Sequence, residues 1–355
     1  MIRKIALIDC SIPINTRNQK IINSIKIYYP ECDVHIITWN REGLLLEETS
    51  NFHAYNYDAQ YGNAKAKLMG MLGFKIYIKN ILKQIHPELI IASHWSNLIL
   101  AACAKKKGQT LIYENLDIPT GSFIIRNISH FFEKLAIRKV DLIIHASRFF
   151  KPLYPQPIPQ IILENKPAFS IDFSTEDVHK PLRISFIGSI RYKEILTNLV
   201  EAVKNDNRFE LYFHGSGEDS NYMQNYSKDS NNVHFTGKYK YKDVIKLYHQ
   251  SDIVWAAYPN KDFNVKYAIS NKFHESLYVG VPCIYSDQTK LADLVNKNRI
   301  GFVVNPYDKN CIKALFIQLY NGTKVINKVK ENMKKFQNNE TTWDEDFQNF
   351  KTYLE

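Results

Sequence analysis

The sequence predicts an α/β protein built from two doubly wound, Rossmann-like domains. Three observations carry this. Short apolar, β-branched runs alternate with longer segments of helical periodicity, as in a mostly parallel sheet covered on both faces. The alternation pauses at the Pro/Gln-rich stretch Lys151–Gln160 and the polar segment Phe169–Pro181, then begins again. At 355 residues the chain can bury two substantial cores.

In the first half the strand candidates are Lys4–Ile8, Val34–Thr38, Leu89–Ala92, Thr110–Tyr113 and Asp141–His145. Helical patterns fill Lys20–Tyr28, Leu68–Gln84 and Asn97–Lys106. The run Ile5-Ala6-Leu7-Ile8 ends at Asp9, too short for a signal peptide, and reads as a first strand. Arg126–Lys139 is basic and amphipathic, with Ile128, Phe131, Phe132 and Leu135 on one face. We read it as a core helix with a solvated polar face. A membrane-facing helix is the alternative.

In the second half the strands are Arg183–Gly188, Glu210–Phe213, Val233–Phe235, Asp252–Ala256, Pro282–Tyr285 and Gly301–Val304, with helices over Glu194–Lys204 and Asp243–His249. From Asn271 a further helix carries Phe273, Leu277 and Val279 on its apolar side. Gly280 stops it before the buried strand Val281-Pro282-Cys283-Ile284-Tyr285. Phe336, Trp343, Phe347, Phe350 and Tyr353 are spaced for one face of a single closing helix over Val329–Glu355. The domains are therefore expected at 1–168 and 169–335, with 336–355 packing back on the first. A central cleft between the carboxyl ends of the two sheets is the expected ligand site.

Lys and Arg number 46 against 36 Asp and Glu, a net charge of +10 with the basic residues dispersed. Such a chain favours anionic partners such as phosphates, nucleotide sugars or acidic lipid. No nucleic-acid-binding motif is present. The five cysteines are scattered and never form Cys-x-x-Cys, which argues for a reduced compartment and against a disulfide framework or zinc site. No apolar run reaches membrane-spanning length. A cytoplasmic protein is expected, with peripheral contact at the inner membrane face.

Three constellations can carry chemistry. Gly188-Ser189-Ile190-Arg191-Tyr192-Lys193 follows a strand and precedes a helix. Its two cations can grip a diphosphate, or can simply be solvated in a turn. Gly215-Ser216-Gly217 permits close backbone approach to a ligand, or only a turn. Asn271, Lys272 and Glu275 lie at or near a helix start, where free amides and the dipole attract phosphate. Glu275, one turn deeper, can accept two hydrogen bonds from a ribose diol. It can equally be a solvated or capping residue.

In this order the three resemble glycosyltransferases of the two-domain B-type fold (GT-B), in particular the retaining family 4 group. The resemblance is strongest over Arg183–Val304, including the Ser-Asp-Ile strand at Ser251–Ile253 and the Gly-x-Pro after Glu275. Asn15-x-Arg17, the Thr-Trp-Asn-Arg ending at Arg41, Lys139–Ser147 and the Trp343 region resemble other elements of the family.

The resemblance implies a retaining, hexosyl-type transferase that moves a sugar from a UDP- or GDP-type donor. The acceptor would be a glycan or a lipid-linked glycan in cell-surface polysaccharide synthesis. No cofactor is implied, and no metal if Arg191 and Lys193 neutralise the diphosphate. Glu275 would hold the ribose, Ser270 and Asn271 would meet phosphate, and Gly188, Gly215, Gly217 and Lys272 would shape the donor pocket. Acceptor-side candidates are Asn15, Arg17 and Glu114, with His94 and Asp117 as catalytic candidates; the loops after Leu89–Ala92 and Thr110–Tyr113 are expected to open towards the cleft. His94 can instead be structural and Asp117 a helix cap.

Two departures from the family stand out. Eight residues before Glu275 stands Tyr267, where many relatives carry a first glutamate that handles the donor sugar. The loop after the first strand, Asp9–Asn15, has no glycine. A non-catalytic partner of another transferase and a nucleotide-sugar epimerase are the alternative functions.

Overall fold

A computed structural model describes residues 2–44, 49–59, 64–155, 157–168, 172–174 and 177–355. The chain divides into two compact units, 1–165 with 343–355, and 166–342. The expected start of the second domain at 169 lies outside the described residues.

In chain order the first unit runs β1 (Lys4–Asp9), α1 (Thr16–Tyr28), β2 (Asp33–Asn40), β3 (Phe52–Asn56), α2 (Ala64–Ile85), β4 (Leu89–Ser93), α3 (Trp95–Ala104), β5 (Thr110–Asn115), α4 (Phe123–Ile137), β6 (Leu142–His145) and β7 (Gln160–Ile162). The second runs β8 (Leu182–Ile187), α5 (Lys193–Val203), β9 (Phe209–His214), α6 (Ser220–Tyr226), β10 (Val233–Gly237), α7 (Val244–His249), β11 (Ile253–Trp255), α8 (Asn271–Val279), β12 (Cys283–Ser286), α9 (Lys290–Asn298), β13 (Phe302–Val304), α10 (Lys309–Asn321) and α11 (Thr323–Gln337). The chain then returns to the first unit as α12 (Trp343–Lys351).

The first sheet is ordered β3-β2-β1-β4-β5-β6-β7 and the second β10-β9-β8-β11-β12-β13. Every pairing within them is parallel. Each order reverses once, at β1/β4 and at β8/β11. A doubly wound sheet opens a crevice there because helices leave the reversal point on opposite faces. Leu7 on the central strand β1 pairs in register with Ile36 and Ile91 and is fully buried, which is why this strand reads as an unbroken apolar run.

On one face of the first sheet, Ile21 and Ile25 of α1 meet Trp343, Phe347 and Phe350 of α12 in the core. Trp343 also donates through Nε1 to Ser24 Oγ at 2.9 Å. On the other face α3 packs between α2 and α4. In the second unit Leu182, Ile184 and Phe186 of β8 pack with Leu196, Leu199 and Val203 of α5.

Three sequence expectations are corrected. The closing segment is two helices, because Asn338-Asn339-Glu340-Thr341-Thr342 interrupts it. The asparagines and threonines compete with the helical backbone for hydrogen bonds, so Phe336 falls in the second unit while Trp343, Phe347 and Phe350 face the first core. Elements β3, β7, α6, α9 and α10 were not among the expected ones. The edge strand β7 is masked by Pro155, Pro157 and Pro159 beside it.

The third correction concerns α4, which is not a core helix with a polar face outward. Its single carboxylate, Glu133, is fully buried and accepts hydrogen bonds from Tyr113 (2.7 Å) and Tyr154 (2.8 Å). His130 Nδ1 lies 2.9 Å from the second carboxylate oxygen. The apolar stripe is exposed instead, with Phe131 59% and Ile128 54% accessible.

Candidate functional site

In the second unit the site residues gather at the reversal point, beyond the carboxyl ends of β8 and β9. Gly188 follows β8 and its amide donates to His214 O at 2.8 Å. A Cβ on Gly215 would stand 2.0 Å from Gly188 O, so only glycine lets the two loops touch. A Cβ on Gly217 would likewise stand 2.3 Å from Ile190 O. The two glycine motifs, distant in sequence, form one layer of backbone.

Lys272 reaches over this layer from the first turn of α8. Its ammonium is 3.1 Å from where a Gly188 side chain would begin, and it donates to Tyr258 Oη at 2.8 Å. Burial works against the Lys272 charge. The hydrogen bond to Tyr258 and the nearby Glu275 carboxylate outweigh burial, and the ammonium pKa is raised. Tyr258 meets Tyr192 edge-on at 6.2 Å, and the Arg191 guanidinium lies 4.8 Å from the Tyr192 ring centre. Arg191, Gly188 and Lys272 are thus joined through two tyrosines.

Lys193 is placed differently. It opens α5, its amide donates to Asp219 Oδ2 at 2.9 Å, and its ammonium stands 5.1 Å from the ring centre of Tyr222 on α6. Arg191 and Lys193 are both exposed.

Ser270 is the N-cap residue of α8, yet its side chain makes no cap hydrogen bond and its buried hydroxyl has no partner. Asn271 is exposed at the first helical position. Glu275 is buried, accepting from Tyr248 Oη at 3.0 Å and from Tyr241 Oη at 3.3 Å. Burial and this carboxylate push both phenols up. Gly280, left-handed at φ 79°, ends α8 as its sequence position implied. Tyr267 lies in the preceding turn, its ring 5.3 Å from that of Phe263.

The first unit has its own polar cluster at the β1/β4 reversal point. Arg17 Nε donates to Glu114 Oε1 at 2.6 Å, and Ser93 Oγ bridges Glu114 to Asn18. Asn18 in turn donates to Asp9 Oδ2 at 2.8 Å. Glu114 lies within β5 and is fully buried, not in the following loop as expected, because β5 continues to Asn115. Burial pushes its carboxyl pKa up, against the opposing pull of Arg17. Arg17 is also buried, and its two terminal nitrogens have no partner.

Asn15 is exposed and caps α1 by accepting from the Arg17 amide at 3.0 Å. His94, at φ 77°, caps α3, with Nδ1 accepting from the Ser96 amide at 3.3 Å. Burial, then the charges of Lys67 and Arg41, push its pKa down to about 4. Asp117 is exposed after β5.

Sequence reasoning missed the tyrosines that organise the second unit's site. Tyr258 follows β11, and Tyr239 and Tyr241 follow β10, so the legible signal was a tyrosine just past a strand end. Among the described residues no group of three His, Cys, Asp or Glu side chains is placed to hold a metal, and no helix is long and apolar enough to cross a membrane.

Residues 169–336 match the family model described as glycosyl transferases group 1. No match was found among curated proteins. Sucrose-phosphate synthase from Thermosynechococcus elongatus superposes with a TM-score of 0.75 at 13% identity, covering 99% of this chain and 98% of that one. HepE from Anabaena, solved with UDP-glucose, gives 0.72 at 15% identity over 100% of this chain and 99% of its own. The lipopolysaccharide outer core galactosyltransferase WaaB gives 0.63 at 15% identity, with 98% of each chain covered. The fold is the two-sheet, Rossmann-like GT-B fold of these structures.

Proposed function

We propose that the protein is a retaining glycosyltransferase that moves a hexosyl-type sugar from a nucleotide-diphosphate donor, of UDP or GDP type, to a glycan or lipid-linked acceptor. The observation that carries this reading is the Lys272 ammonium. It is held over the Gly188–Gly215 backbone layer, at the start of α8 and at the sheet reversal point. A diphosphate there meets a fixed cation, the positive dipole end of a helix and the unpartnered Ser270 hydroxyl. Arg191 closes over it from the β8 loop.

Glu275, a turn along α8, is placed for the ribose. Its two oxygens each spend one lone pair on a tyrosine and keep capacity for a diol. The family match over the second unit and the Anabaena structures holding UDP and UDP-glucose support a nucleotide-sugar donor.

In the proposed reaction the bond from the sugar's anomeric carbon to the diphosphate oxygen breaks. The acceptor hydroxyl attacks from the same face, and its proton passes to the departing phosphate oxygen. The protein then supplies no nucleophile; it positions the reactants and stabilises charge developing on the diphosphate. Surface-polysaccharide synthesis in the cytoplasm, at the inner membrane face, is the setting we assign.

Donor hydrolysis and transfer across a panel of UDP- and GDP-sugars test this reading. Arg191→Ala and Glu275→Ala are each expected to lower turnover by about 100-fold. Full activity in both variants overturns the site assignment. Calorimetry showing that no nucleotide sugar binds, while a transferase co-purifies, would favour a non-catalytic partner.

A further inference from the structure

The first unit carries an outward apolar face on two helices of one layer. On α4, Ile124, Ile128, Phe131 and Leu135 recur at helical spacing and are all exposed. The polar anchor Glu133 sits on the opposite side, tied to Tyr113 and Tyr154 beneath, so this orientation is locked rather than accidental. On α2, the other neighbour of α3, Leu68, Met69, Leu72 and Ile76 are exposed as well. A soluble protein rarely leaves so many large apolar side chains of one helix layer in water.

The charge around them has one sign. Helix α2 contains no acidic residue, and its exposed face continues through Lys75, Lys79 and Lys83. On α4 the only carboxylate is the buried Glu133, while Lys134 and the following Arg138 and Lys139 are exposed. Apolar side chains among cations, with no exposed carboxylate, match a surface that is anionic outside and hydrocarbon just beneath. A second copy of the chain fits poorly, since the lysines would meet lysines.

We propose that α2 and α4 dock the first unit on an anionic lipid bilayer, with Phe131 and Ile128 entering the acyl boundary and Lys75, Lys79 and Lys134 lying among the headgroups. The inference stands whether or not the second unit transfers a sugar.

Flotation of the full chain with phosphatidylcholine vesicles, and with vesicles of phosphatidylcholine mixed with phosphatidylglycerol, tests it. The protein should float with the mixed vesicles and about tenfold less with phosphatidylcholine alone. Phe131→Ser should weaken the partition by roughly tenfold. Lys134→Glu should weaken it by a similar factor, roughly tenfold, more sharply at low salt. The thermal midpoint should not move in either variant, since both positions face water.

Absence of flotation with both vesicle types overturns the proposal, as does flotation that neither substitution changes. Light scattering that shows a dimer broken by Phe131→Ser would assign the face to a second copy, and so also overturns it. Binding that survives only as capture by an acidic protein, with vesicles ignored, does the same.

Discussion

Helices α8 and α4 solve one local problem in the same way and then diverge. Each buries a glutamate, and each carboxylate is held by two tyrosine hydroxyls: Tyr248 and Tyr241 on Glu275, Tyr113 and Tyr154 on Glu133. On α8 the apolar residues Phe273, Leu277 and Val279 are buried too, and Lys272 stands beside the carboxylate at the reversal point of the sheet. On α4 the apolar stripe of Ile124, Ile128, Phe131 and Leu135 points to solvent, and the carboxylate faces inward beside Ala136 and Ile137. A buried, tyrosine-bound glutamate therefore does not by itself mark a ligand site. The neighbours differ: Lys272, which reaches the glycine layer, stands near Glu275, and a polar knot surrounds Glu133.

The largest expected effect separates the two apolar faces. Phe273→Ala should destabilise the second unit by about 3–5 kcal/mol, read by chemical denaturation, because its ring is 1% exposed and its removal leaves a cavity. A loss below about 1 kcal/mol would show that the α8 face is not packed as described.

Acid should sharpen the contrast next. His145, fully buried against Tyr154 beneath α4, has its pKa pushed down to about 4, first by burial. The unfolded chain takes up this proton near pH 6.5, the folded chain only near 4. The unit thus has its full stability above about pH 6.5 and loses up to roughly 3 kcal/mol as pH falls to 4. His94 adds to the loss in the same unit. His214 in the second unit is lowered by burial as well, so hydrogen exchange at pH 4–5 should show both units loosened, the first leading. Equal protection at pH 7 and pH 4.5 in β5 and β6 would contradict this.

A third test breaks the knot under α4 directly. Glu133→Leu takes the acceptor from the Tyr154 hydroxyl and leaves Tyr113 only its longer bond to Asn115 Oδ1, and should cost roughly 2–3 kcal/mol. Glu133→Gln keeps an acceptor and should cost about half as much. A neutral Leu variant would mean that α4 is oriented by something other than its polar anchor.

The smallest expected effect is the mirror of the first. Phe131→Ala, on the exposed face of α4, should change stability by less than about 0.5 kcal/mol. A loss of several kcal/mol would place this ring in a core and remove the contrast between the helices.

Much of this was legible in the chain itself. The apolar run Ile5–Ile8 is a central parallel strand because only a strand buried on both faces is apolar without alternation. Gly280 announced the end of α8 because few other residues take a left-handed backbone there. Gly188, Lys272 and Glu275 could be named as one candidate set because Gly188 follows a strand and the other two lie in the first turns of a helix, where doubly wound sheets keep their sites. Less was legible where tertiary contact overrides local pattern. Glu114 looked like a loop residue until β5 was seen to extend through it. The break at Asn338–Thr342 was hidden by aromatic spacing that happens to continue across it.

The sequence alone determined the two alternating α/β units and the residue types gathered in the second unit's candidate site, because periodicity and strand-end chemistry are local properties. The tertiary structure decided which way α4 faces. A helix with one apolar stripe and one carboxylate can bury either. It buried the carboxylate because Tyr113 on β5 and Tyr154, distant in sequence, converge on Glu133 and satisfy it. The same kind of convergence brought Tyr258 to Lys272 and the Gly188 loop against the Gly215 loop. Hydrogen bonds between distant segments exist only once the sheet has aligned their ends, and no local pattern records them.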